Sequence, residues 1–170
     1  MLNQVIFTRI LVDGEILSAI VGVVLVGMLY FNPRIALSDY PTDVKAAVPP
    51  RTKQELQLGI LISIPLLLVF AALPLYSVWL VKQKSGGMLT YGMAFITLFG
   101  EYFLVSMFDL LVLVMWMFYI WTPKFLVLPG TEGMPGYKDY RPHLKAQLTK
   151  GNLLLAIFSA ALALVPIFFY

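Results

Sequence analysis

From Leu56 to Val81 the chain carries no charged side chain, and that single run decides the environment. About 20 mostly apolar residues in a helix cross the hydrocarbon core of a bilayer. Only a helix or a closed barrel satisfies its own backbone polar groups where water is absent. Three further stretches read the same way, giving spans of about 15–31, 57–81, 100–121 and 151–170. The expected fold is therefore an all-α integral membrane protein, a single domain over residues 1–170 with four transmembrane helices. Composition agrees. Of 170 residues only 12% are charged, against about 25% in soluble domains.

The third stretch is too long for a simple span. Met88 to Trp121 is interrupted only by Glu101 and Asp109, and one helix of that length would run about 50 Å through a core of about 30 Å. Either it tilts, or residues 86–100 lie in the interface before a span of about 100–121. The first stretch reads as a span rather than a signal peptide, because no small-x-small cleavage site follows its apolar run.

Residues 82–87 form a short link, whereas residues 32–55 and 122–150 are long, polar loops rich in proline and tyrosine. Four spans place both long loops on one face. The loops hold four and five of the cations, against Arg9, Lys82 and Lys84 elsewhere. The positive-inside rule then puts the long loops in the cytoplasm and both termini outside, with the plasma (inner) membrane as the expected location.

The loops also resemble one another. Asp39-Tyr40 through Ala47-Val48 and Asp139-Tyr140 through Gln147-Leu148 share D-Y-x-x-x-[VL]-K-A-x-[VL], and an aromatic–polar–Pro–cation–apolar block precedes each, at Phe31–Ile35 and Trp121–Phe125. Two tandem parallel helix–loop–helix repeats would produce this pattern. Amphipathic surface segments draw on a small alphabet, so coincidence is the competing explanation. Each block reads as a short interfacial helix, the first capped by Ser38 or Asp39.

Chemistry-bearing residues are few. With no cysteine and one histidine, thiolate metal sites, bis-histidine haem and cysteine nucleophiles are excluded within one chain. No metal or cofactor is expected. Asp109 lies about 18 Å along the helix from Trp121, where a carboxylate costs a few kcal/mol and normally faces the bundle interior, a partner or water. It is a candidate for proton or ion movement, or packing glue bonded to Ser106. Glu101, about 12 Å further along and rotated by about 80°, groups by depth with Asp13 and Glu15 as an acidic entrance. On the loop face, Asp139, His143 and Arg141 form a weak catalytic candidate, with Asp139 and His143 at i,i+4 spacing. Arg34, Lys45, Lys124, Lys138 and Lys145 make a cationic surface suited to lipid headgroups or anions.

Three functions fit. The leading one is a small oligomeric transporter or proton/ion-conducting unit using Asp109. The others are a non-catalytic accessory or lipid-binding scaffold, and a membrane-embedded enzyme acting on a lipid or isoprenoid at the Asp139/His143 face. Expected partners are membrane lipids and a second copy or another membrane subunit, not nucleic acid. The discriminating observation is whether Asp109 meets a cavity, a lipid tail or only side chains.

Overall fold

The computed structural model describes residues 2–169. It is all-helical among these residues. Four helices are long and apolar enough to span a membrane: α1 (Leu2–Phe31), α3 (Lys53–Lys84), α4 (Tyr91–Trp121) and α5 (Arg141–Phe169). A short helix, α2 (Thr42–Ala47), lies in the first long loop. Tyr170, the expected end of the fourth span, lies outside the described residues.

Helices α1 and α4 form the most extensive pairing. Close approach explains it: a Cβ on Gly100 would come within 2.6 Å of Ile10, and one on Gly14 within 2.9 Å of Leu104. Spans associate in lipid through such small residues, because lipid offers no hydrophobic driving force between helices. The core around this seam contains Leu17, Val21, Val78, Ala94, Leu98, Tyr102 and Val105. Since Ala94, Thr97 and Leu98 are buried, residues 91–100 pack into the bundle as the first turns of the same long helix. At Asp109 the winding of α4 changes to i→i+5, through Trp121. The wider winding advances less per residue, which shortens a helix that would otherwise overrun the bilayer.

Helix α3 runs unbroken through Pro65 and Pro74. A proline cannot donate to the carbonyl four residues earlier, so Pro74 frees that of Phe70. The Tyr102 hydroxyl donates to this oxygen at 2.8 Å, and the two rings stack with centroids 4.6 Å apart. Tyr102→Phe keeps the stacking and orphans the carbonyl. It is expected to lower unfolding free energy by about 1 kcal/mol, measured as a reduced melting midpoint in detergent.

The two long loops meet on one face and build a second core from Leu37, Tyr40, Val44, Leu128 and Tyr137. Tyr40 donates to the Leu126 carbonyl at 2.8 Å, and Asp43 accepts from the Gly136 amide at 2.9 Å. A Cβ on Gly136 would collide with Asp43 and Pro41. Thr122 ends α4 in a left-handed conformation (φ 46°), a strained choice for a β-branched residue. Lys138 holds it there by donating to the Tyr119 carbonyl and the Thr122 hydroxyl, both at 3.0 Å.

Helix α2 begins after Pro41 rather than at a side-chain cap, so neither Ser38 nor Asp39 caps it. Its counterpart in the second loop is not a separate helix but the first turns of α5, from Arg141. The first loop instead breaks at Pro49-Pro50 and restarts α3 with a capping box between Thr52 and Glu55.

Candidate functional site

Asp109 meets a cavity. About 260 Å³ in volume and partly open, it lies between the second half of α1, the first loop, the widened part of α4 and the start of α5. Leu25, Met28 and Leu29 form one wall and Leu113, Val114, Met117 and Phe118 another. The polar groups on its lining are the side chains of Asp109, Asp39, His143, Tyr40 and Tyr119. An apolar wall with a few convergent polar groups is the usual composition of a ligand pocket.

The change of winding starts at Asp109 itself. Departures of this kind recur at functional sites, because they turn one side chain away from the regular helical register. Ser106 is not the partner of Asp109. Its hydroxyl accepts from Gln147 Nε2 at 2.7 Å and donates to Asn152 Oδ1 at 3.3 Å, so this polar clamp joins α4 to α5 and leaves the carboxylate to the cavity. Tyr40 is buried, and desolvation, followed by the nearby Tyr137, holds its phenol above the usual range. It is a neutral hydroxyl at any physiological pH.

The structure separates the other sequence candidates. His143 reaches the cavity, but Asp139 and Arg141 do not line it. Asp139 precedes the helix and accepts from the Arg141 amide at 3.3 Å, so the i,i+4 relation of a continuous helix is not formed. His143 shares the cavity lining with Asp109 instead. Three of the five headgroup candidates hold the loops together. Arg34 pairs with Glu55 at 2.7 Å and donates to the Pro49 and Pro50 carbonyls; Lys45 donates to the Ser38 carbonyl; Lys138 caps α4. Lys124 and Lys145 are exposed.

The acidic entrance also divides. Glu15 is exposed. Asp13 is buried and pairs with Arg9 at 3.4 Å. Glu101 is fully buried, and neither carboxylate oxygen has a hydrogen-bond partner among the described residues. Ser77, Asp13 and Arg9 all lie close enough to act on it, yet the buried Ser77 hydroxyl makes no bond of ordinary geometry either. Glu101 does not line the Asp109 cavity, so two separate acidic centres occupy α4.

Asp39, Tyr40 and Tyr119 were not foreseen at the Asp109 site. Asp39 and Tyr40 open the first repeated block, and that recurrence was the one available signal; nothing in the sequence singles out Tyr119. No metal-holding group of three or more acidic, histidine or cysteine side chains occurs among the described residues. No known protein family, curated protein or solved structure matches this chain.

Proposed function

We propose that this chain is a small membrane transporter in which Asp109 couples substrate movement to a proton. The supporting observation is that a carboxylate within a spanning helix lines a cavity together with the chain's one histidine. Asp109 and His143 can exchange a proton as the substrate arrives and leaves. Glu101 supplies a second proton-binding group on the same helix. The cavity stops short of Glu101, so the proposal includes a homo-oligomer or a partner membrane subunit that completes the path. Reconstitution into liposomes, with Asp109 substituted, tests it.

A membrane enzyme acting on a lipid or isoprenoid is the second reading, favoured by the apolar wall leading to His143. In that case His143 is the acid/base and Asp109 orients it, with Asp139 and Arg141 outside the site. Loss of chemistry in His143→Gln, with transport absent from the parent protein, selects the enzyme.

The orientation and the repeat complete the proposal. The long loops are cytoplasmic, in the plasma membrane, with both termini outside, and the two halves descend from one helix–loop–helix unit whose loop helices lie in the interface. Single cysteines placed at the exposed Ser38 and Glu132 should resist an impermeant thiol reagent in intact cells. One at Ser85 should label. The opposite pattern inverts the topology without changing the number of spans.

A further inference from the structure

The last turns of α1 separate two spaces. One side carries Leu25, Met28 and Leu29 into the Asp109 cavity. The other carries Val23, Val24, Gly27, Met28 and Phe31 into a second space of about 380 Å³, closed by Ile35, Leu58 and Ile62. Every residue lining this second space is apolar, and it lies between two helices long and apolar enough to span a membrane, so lipid chains are the neighbours its opening suits. Met28 borders both spaces. An unbranched thioether side chain adapts its shape readily, which makes Met28 a movable partition.

The polar ends differ in sign from what a phospholipid needs. The cavity lining presents two carboxylates, Asp39 and Asp109, with His143 as its one basic side chain and no lysine or arginine. A phosphate or fatty-acid carboxylate would be repelled there, while an ammonium group would be held by both acids. The groove offers a tail a lining that is apolar throughout, whereas the cavity wall is interrupted by acids, a histidine and two phenols.

We infer that the substrate is a single-chain cationic amphiphile, which enters sideways from the bilayer through the α1–α3 groove and passes Met28 to place its ammonium group between Asp39 and Asp109. The inference rests on the cavity being the substrate site, as proposed above. It narrows the substrate by charge and by chain, and it makes the route lateral rather than aqueous.

Photolabelling in phosphatidylcholine nanodiscs tests it, using dodecylamine with a diazirine on its terminal carbon. Adducts are expected on Val23, Leu58 and Ile62, competed by dodecylamine and not by dodecyl phosphate. A Cβ on Gly27 would meet nothing within 4 Å, so Gly27→Leu fills the groove without forcing the helices apart. It should cut labelling by about ten-fold or more, because the tail loses several buried methylenes. Ile62→Phe plugs the same space from α3 and should act alike. The inference is overturned if labelling spreads evenly over the exposed Leu61 and Leu68 of α3, if both plugged variants label like the parent, or if dodecyl phosphate competes equally. Failure here with transport still lost in Asp109→Asn leaves the transporter and removes the amphiphile. Groove labelling as expected, with Asp109→Asn fully active, keeps the lateral groove route and removes proton coupling at Asp109.

Discussion

Asp109→Asn is expected to reduce transport in proteoliposomes by about 100-fold or more, while the protein still folds, inserts and melts near the parent temperature. The amide preserves size and hydrogen bonding, and it faces a cavity rather than a required structural partner. What it cannot do is take up and release a proton. The Ser106 clamp to Gln147 and Asn152 is independent of residue 109, so packing between α4 and α5 survives. Asp109→Leu should lose transport to the same extent. If the carboxylate were packing glue, the ranking would invert, with Asp109→Asn nearly silent and Asp109→Leu lowering the melting midpoint. Full transport by Asp109→Asn removes the proton-coupling role and leaves His143, with its enzyme reading, as the next group to substitute.

The four helices were legible because lipid imposes one rule at every position of a span, and uncharged runs such as Leu56–Val81 obey it. Placing both loops together followed from the even number of crossings alone. Reach along the helices was less legible. Residues 91–100 carry no charge and two glycines, a pattern shared by interfacial and close-packed segments, and only the α1 surface that receives Gly100 reveals the close packing. The candidate site was legible at Asp109, whose cost in lipid singles it out and which lines the cavity. Its partners were not, because they are set by loop geometry. Asp139 and His143 look paired at helical spacing, but α5 begins at Arg141 and directs the imidazole toward α4 instead. Arg34 and Lys138 look like free cations until the carbonyls they satisfy are known.

Glu101→Met should make the protein more stable and less active. A fully buried carboxyl with two unpartnered oxygens loses the hydrogen bonds it would make to water and recovers none in the fold. Replacing such a group by an apolar side chain of similar length removes that cost, and about 1–3 kcal/mol is the scale of an unsatisfied buried group. The melting midpoint in detergent should rise accordingly, while Glu101→Gln, which still buries polar atoms, should stay close to the parent. The Arg9–Asp13 pair keeps its own i,i+4 contact at 3.4 Å in both. Retaining a destabilising acid beside Ser77 and Asp13 makes sense where function requires it, and a proton site separated from Asp109 by about 12 Å along the helix is such a function. Both substitutions should then depress proton-coupled transport together, although only one of them stabilises the fold. A lower melting point for Glu101→Met would mean that the carboxyl is partnered within the bundle, by the neighbouring Ser77 hydroxyl or a buried water, and that its role is to hold the helices together rather than to carry protons.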